Sequence, residues 1–318
     1  MKNLQKTLIE LIAQASPLEG RNETVIPGVR CIKFSKPNSP SKAHWPSSLS
    51  IIAQGQKQLA LADNVYQYKE AHYIATPIDL PVTSQIKLAK PDAPFLAMLV
   101  EMDPVLLAEV AGKVTVDRDE KVEMLSYGIF TGKAEEKMLE SAVRLLKLIK
   151  SPEDIPALAP LVIKEIIYHL LKGPNGRAIH AFTQSASRLG KISQSIQSLR
   201  SDLTLEVDVT DLAKQAHMSR SLFFNAFKEV TAMSPIQYQK RLRLMEARRM
   251  LIDERESAEG AAFKVGYNSA SQFSREYSRM FGQSPLRDAV KMMKQSSARD
   301  FSPRNKDSMY GPATCVVA

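Results

Sequence analysis

Cysteine is nearly absent from this chain: Cys31 and Cys315 are the only two in 318 residues. That excludes a disulfide framework, a cysteine-rich zinc module and an iron–sulfur cluster. Histidine is also scarce, with five in all and no His-x-His pair, so the chain lacks the ligand pattern of a metal-holding β-barrel. No run approaches 18 consecutive apolar residues, which excludes a membrane-spanning helix. No nucleophile motif, phosphate-cradling loop or paired-carboxylate arrangement is present either. The expectation from these absences is a chain that is not an enzyme and carries neither metal nor cofactor. Cys31 sits in a strand-like apolar run and reads as a small buried hydrophobe. Cys315 lacks basic neighbours to activate it.

What is present is a core-forming composition, 44% hydrophobic and 24% charged, in a chain long enough for two domains. Leu4, Leu8, Leu11 and Ile12 recur at helical spacing near the N-terminus, with Glu10 among them. This predicts an amphipathic helix retained on the protein and not a secretory leader, and a cytoplasmic location. The net charge of +9 is uneven. Met1–Ser187 carries 22 basic against 20 acidic residues, whereas Arg188–Ala318 carries 21 against 14. One half is therefore balanced, and the other has the excess expected of a domain that meets a polyanion, although a solvated basic face reads the same way.

Short alternating or apolar runs at Val29–Phe34, Leu49–Ala53, Gln58–Leu61, Val65–Tyr68, Tyr73–Thr76 and Phe95–Val100 are separated by turn signals. They predict a small antiparallel barrel or sandwich. From Ala134 the period becomes helical, with the stripe Met138, Ala142, Leu145, Leu146 and Ile149, and a second helix over Leu161–Leu171. The stripe looks too apolar for one small barrel, so the expectation is a homodimer through these helices. Lys172-Gly173-Pro174-Asn175-Gly176 is the strongest breaker in the chain and marks the expected domain boundary. The chain thus divides into 1–172, a linker with lead-in helix at 173–191, a helical domain at 192–294, and a disordered tail at 295–318.

The helical domain contains an internal repeat. At a constant offset of 50, Ser219/Ser269, Ser221/Ser271, Phe223/Phe273, Ser234/Ser284 and Pro235/Pro285 are identical, Phe227/Tyr277 is conservative and Ala216/Gly266 are both small. In the first copy Asp208 caps a short helix, His217-Met218 turns, and Ser219 caps a second helix from Arg220. That is a helix-turn-helix unit over about 209–230, with a second over about 258–281. Phe223/Phe227 and Phe273/Tyr277 face inward, four apart. Arg220, Ser221, Phe224, Asn225 and Lys228 in one unit, and Ser271, Ser274, Arg275 and Arg279 in the other, face out, where a major groove would meet them. Arg275 suits guanine and Asn225 adenine. Between the units, Ser234-Pro235-Ile236-Gln237 opens a helix to about Ile252, roughly 27 Å long. It carries the basic run Lys240, Arg241, Arg243, Arg248 and Arg249, some of which can reach phosphates.

These residues resemble the arabinose-regulator (AraC/XylS) class of bacterial transcription factors over about Ile192–Ala289. The run Ala262-Phe263-Lys264-Val265-Gly266-Tyr267-Asn268-Ser269-Ala270-Ser271-Gln272-Phe273-Ser274-Arg275, continuing through Phe281-Gly282 to Ser284-Pro285, is nearly the family's second-unit signature. Two positions depart from the pattern: Phe224, where a polar side chain is common, and Ala232, where glycine is usual. In the first half, Pro27-Gly28-Val29-Arg30, Ser50–Gly55, Tyr66-Gln67-Tyr68 and Asp79–Thr83 are similar to a cupin-like effector domain of one branch of that family. The resemblance implies an α+β chain, with an N-terminal cupin-like antiparallel β-barrel plus helices, and a C-terminal all-α domain of two helix-turn-helix units joined by a long helix. It implies a sequence-specific regulator with double-stranded DNA, a small-molecule effector and a second copy as partners, acting at the nucleoid, and RNA polymerase as partner where the outcome is activation. His44 and Trp45 are either pocket or barrel filling, and Tyr66, Tyr68, His72 and Tyr73 are likewise pocket or core; His44, Trp45, Tyr66, Tyr68 and His72 are the candidate effector contacts. A cupin enzyme, a DNA-repair protein with a reactive cysteine cluster and a nonspecific architectural DNA binder are the competing classes. The first two lack the residues they need, and the third needs no sensor-sized first domain.

Overall fold

The computed structural model describes residues 2–115, 128–184 and 187–300. Helix α1 (Lys2–Gln14) buries Leu8 and Ile12 against the face of a β-sheet and a later helix, as its spacing requires. Ten strands follow, with one helix before the last: β1 (Gly20–Glu23), β2 (Val29–Phe34), β3 (Ser41–Trp45), β4 (Ser48–Gln54), β5 (Gln56–Leu61), β6 (Asn64–Lys69), β7 (His72–Thr76), β8 (Leu80–Leu88), β9 (Phe95–Glu101), α2 (Pro104–Ala111) and β10 (Phe130–Lys133). All pairings are antiparallel, in a six-stranded sheet ordered β1-β2-β9-β4-β7-β10 and a four-stranded sheet ordered β3-β8-β5-β6. The two ladders stay separate among the described residues, and the apolar faces of both sheets contribute to one core.

β4 and β9 are buried on both faces, because α1 covers the side away from the sheet–sheet core. β5 alternates strictly, with Lys57, Leu59 and Leu61 inward. Gly55 makes the turn from β4 to β5 at φ +86, and a Cβ there would stand 2.6 Å from the Leu88 carbonyl oxygen. Only glycine satisfies both conditions.

Helices α3 (Glu136–Lys147) and α4 (Ile155–Lys172) form an antiparallel pair that α1 and α2 flank. The stripe expected to be shared with a partner chain is used inside this one: Met138, Ala142, Leu145 and Leu146 are all 2% exposed or less, and Ile149 is half-buried. The helix α1 supplies the apolar partner that a reading of the barrel alone leaves out.

The breaker at Gly173–Gly176 is packed. The Asn175 amide donates to the Tyr73 hydroxyl and to the Thr131 carbonyl, each at 3.0 Å. A Cβ on Gly176 would collide with the Leu171 carbonyl. Helix α5 (Gly176–Ala181) continues onto the β-domain, where His180 Nε2 lies 3.1 Å from the Ala111 carbonyl and Phe182 meets Phe130 edge-on.

The helical part comprises α6 (Arg188–Ser201), α7 (Val209–Gln215), α8 (Arg220–Thr231), α9 (Pro235–Asp253), α10 (Ala258–Lys264), α11 (Ala270–Phe281) and α12 (Pro285–Asp300). α12 runs to Asp300, into the segment expected to be a tail; 301–318, including Cys315, lie outside the described residues. The buried residues of α6, α7, α8 and the first half of α9 are continuous with the β-domain core. α10, α11, α12 and the second half of α9 enclose a separate core around Phe273 and Tyr277.

Candidate nucleic-acid interface

Each unit is built by its caps. Asp208 accepts from the Thr210 and Asp211 amides at the start of α7, and Ser219 accepts from the Leu222 amide at the start of α8. In the second copy Ser257 caps α10 and Ser269 caps α11 by the same bonds. Ser234 and Gln237 form a complete capping box around Pro235, which fixes where α9 starts. α9 is long, about 28 Å at 1.5 Å per residue, and separates the two units.

The backbone corrects the repeat alignment. The Met218 amide donates to the Ala213 carbonyl and the Tyr267 amide to the Ala262 carbonyl, an offset of 49. Only from Ser219/Ser269 onward does 50 apply, so the second turn carries one extra residue, Asn268. The counterpart of Gly266 (φ +88) is therefore His217 (φ +50), not Ala216. Gly266 has a further reason to be glycine: a Cβ would stand 2.7 Å from Thr204 Cα.

Phe223, Phe227, Phe273 and Tyr277 are fully buried. On the opposite faces Arg220, Ser221, Phe224, Asn225, Lys228, Ser271, Arg275 and Arg279 are exposed, and Ser274 is half-buried. Phe224 is 38% exposed. Arg279 stands slightly apart from the others. It lines a cleft of about 400 Å³ with Lys42 of β3 and Arg241 of α9.

The basic run on α9 serves the fold. Arg243 donates to the carbonyls of Leu203, Thr204, Leu205 and Gly266, pinning two loops to the helix. Arg248 holds buried Asp288 through two bonds of 2.7 and 3.1 Å and lies 4.6 Å from the centroid of the Phe281 ring. Arg249 pairs with Glu246 and Glu254, and Lys240 with Glu276. Within that run Arg241 alone makes neither an ion pair nor a side-chain hydrogen bond among the described residues. The expectation that Arg248 reaches phosphate is overturned, because its guanidinium is committed to a carboxylate inside the second unit.

The candidate effector residues separate into three places. Trp45 and Tyr68 are each 2% exposed and point into the β-domain core, with Tyr66 half-buried on the same face of β6. His44 points the other way, toward α6 and α9, and lines a cleft of about 620 Å³ with Lys42, Arg200 and Met245. His72 rests its Nδ1 2.9 Å from the Glu70 carbonyl, away from both. Two features went unnoticed in the sequence. Lys57 is a buried lysine in the alternation of β5, a signal visible in Gln-Lys-Gln-Leu-Ala-Leu. Asp79 is buried at the junction of the two halves and is met by Arg200 Nη1 at 2.5 Å and His44 Nε2 at 3.6 Å, a convergence no local pattern reveals. Cys31 is buried in β2, and burial pushes its thiol up to about 12.

The model of an AraC-type transcriptional regulator N-terminus matches residues 25–178, and that of a helix-turn-helix domain matches 212–288. Among curated proteins, the chain is 26% identical over 145 residues to the HTH-type transcriptional regulator ArgR of Pseudomonas aeruginosa, covering 45% of this chain and 44% of that protein. It is 32% identical over 101 residues to the HTH-type transcriptional activator RhaS of Escherichia coli, covering 32% of this chain and 35% of that one. The chain thus spans less than half the length of the curated relatives it matches. Among solved structures, it is similar in fold to ToxT of Vibrio cholerae, with a TM-score of 0.57 at 12% identity over 84% of this chain and 99% of that one.

Proposed function

The chain belongs to the AraC family of transcriptional regulators, and on that premise we propose that it binds specific DNA duplexes through α8 and α11 in response to a small molecule held by its β-domain. The observation that carries the reading is the pair of serine-capped helices whose inner faces are filled by aromatics while their outer faces are exposed. Arg275 and Asn225 are assigned to base edges, with Arg220, Ser221, Phe224, Lys228, Ser271, Ser274 and Arg279 around them. Phe224 offers an apolar contact suited to a thymine methyl. DNase footprinting of the full chain on genomic fragments, repeated at low and high salt, tests this. A protected site that survives high salt supports specific reading, and uniform protection that vanishes with salt would refute it.

The domain assignment follows as 1–172 for the cupin-like effector half and 192–294 for the DNA-binding half, with 173–191 between them. The small-molecule part draws on the N-terminal family match, and one ToxT structure is of an unsaturated fatty acid-bound form. Two copies are needed for a two-fold operator, and the outward face of α4 is suited to join them: Leu158, Leu161 and Tyr168 are 43%, 61% and 42% exposed. Leu161→Glu should convert a dimer to a monomer in sedimentation, and an unchanged sedimentation coefficient would remove α4 from the interface. No described helix is long and apolar enough to cross a membrane. A cytoplasmic, nucleoid-bound protein that contacts RNA polymerase when it activates is the setting this function requires.

A further inference from the structure

The interior of the β-domain holds a cation that the fold does not neutralise. Lys57 points inward from β5 and is 6% exposed. Its Nζ lies 4.4 Å from the centroid of the Trp45 ring and 5.8 Å from that of Phe95. Among the described residues no carboxylate pairs with it. Of the charged groups around it, the one that acts on it is Arg21 of β1, a like charge, and the Tyr68 and Tyr66 phenols lie on the core-facing side of the neighbouring β6. Burial first, and Arg21 second, bring the ammonium down to about 7.

Two more donors share its surroundings. Trp45 Nε1 and the Tyr68 hydroxyl are buried and have no hydrogen-bond partner. Tyr68 stands directly across the β5–β6 ladder from Lys57, so the two side chains leave the sheet side by side on its inner face. Buried polar groups are nearly always paired, and unpaired ones call for an explanation. An ammonium and an indole N–H can only donate, and a phenol donates readily. The missing component is therefore an acceptor, and the uncompensated charge makes it an anion.

We propose that Lys57, Trp45 and Tyr68 form a recognition site for the carboxylate of a small organic acid, with the Trp45 and Phe95 rings against its apolar body. A carboxylate has one charge and two oxygens, which one ammonium and two neutral donors satisfy. A phosphate brings a further oxygen and more charge than this single cation balances. The proposal rests on reading the β-domain as the effector module and names the effector's chemical class. It also has a pH signature. The anion holds a proton on Lys57, so affinity is level below about pH 7 and falls about tenfold per pH unit above it. Tyr68, pushed well above its usual value by burial, stays neutral over that range.

Trp45 is the only tryptophan in the chain, so its fluorescence reads this site directly. Full-length protein is titrated with benzoate and with octanoate, and with benzamide and chloride as controls, from about pH 6 to about pH 9. The expected result is a saturable change with at least one carboxylate and none with benzamide, with the pH dependence above. Lys57→Met should weaken binding at least tenfold and abolish the pH dependence, and Tyr68→Phe should weaken it several-fold. The proposal is overturned if neither carboxylate saturates, if benzamide binds as well as benzoate, or if Lys57→Met keeps both affinity and pH dependence. Saturation by chloride alone overturns it too, as an adventitious ion only. Carboxylate binding that leaves operator affinity unchanged would keep the site and defeat the effector reading. An operator response that survives Lys57→Met would do the reverse.

Discussion

The hydroxyl of Tyr238, in the helix that joins the two repeated units, donates a 2.7 Å hydrogen bond to the backbone carbonyl of Asp79 in the β-domain. Both residues are buried, and the Tyr238 ring meets Phe227 of α8 edge-on at 5.5 Å. Asp79 and the helix that carries Arg220 and Asn225 are thus joined by one hydrogen bond and one aromatic contact. The side chain of Asp79 ties down the same junction, accepting from the Ser47 amide at 2.7 Å and pairing with Arg200 at the end of α6. The first unit is coupled to the β-domain in this way, while the second has its own core.

Tyr238→Phe tests that coupling with the least loss of volume. It leaves the Asp79 carbonyl buried without its donor, a cost of about 1–3 kcal/mol. Thermal unfolding of the full chain should show a lower midpoint. An unchanged midpoint would mean that the hydroxyl has no role in holding the halves together.

Acid should open the same junction. Burial alone would raise the Asp79 pKa; the imidazole of His44, then Arg200 and the Ser47 amide, outweigh it, and the net shift is downward. A carboxylate whose folded pKa lies below its unfolded value, about 3.9, contributes stability that is fully present above that value. The contribution is lost as pH falls through the folded pKa. Asp79→Asn should therefore be less stable than wild type at neutral pH, with the gap in melting temperature closing below about pH 4. A gap that stays constant down to the lowest pH would show that Asp79 acts by shape and not by charge.

The elements that were legible in the sequence are those whose signal is local. The caps Asp208, Ser219, Ser234 and Ser269 and the aromatic pairs at a spacing of four define α7, α8, α9 and α11 with no need of long-range information. β1, β3, β8 and β10 escaped notice because Gly20–Glu23, Ser41–Trp45 and Phe130–Lys133 are short and only partly buried, and Leu80–Leu88 contains Pro81 and a polar middle. The roles of Arg243 and Arg248 were hidden for a different reason. A basic residue on a helix reads as a phosphate contact until its carbonyl or carboxylate partner, here 23 to 40 residues away in sequence, is brought beside it.

Ala232 shows a local departure with a measurable cost. It ends α8 in the left-handed region at φ +58, where the second unit has Gly282 at φ +80. A Cβ in that region is disfavoured by about 1 kcal/mol relative to glycine. Ala232→Gly should stabilise the chain by up to about 1 kcal/mol, seen as a rise in melting temperature. A fall would mean that the methyl group, half-buried at the edge of the core, contributes more by packing than it costs in strain.

Arg248→Ala should act on folding and not on DNA. Removing it leaves Asp288, 1% exposed, with only the Tyr277 hydroxyl and the Gln283 amide as donors. Breaking a buried pair in this way costs about 3–5 kcal/mol, so the second unit should melt early. Below that transition the salt dependence of DNA binding should match wild type. A slope reduced by about one charge would return Arg248 to the list of phosphate contacts.

Arg275→Ala is the sharper test of readout. Arg275 lies in the second turn of α11, exposed and without an intramolecular ion pair among the described residues, on the face opposite Phe273 and Tyr277. A guanidinium free to meet a guanine edge contributes about 1–3 kcal/mol of discrimination at one base pair. The variant should therefore lose about tenfold or more on its cognate duplex and little on random DNA, with the salt slope preserved. Binding to a panel of single-base operator variants would locate the loss. If wild type and Arg275→Ala rank the panel identically and differ by one constant factor, Arg275 touches the backbone, and base reading by this helix must come from Ser271 and Ser274.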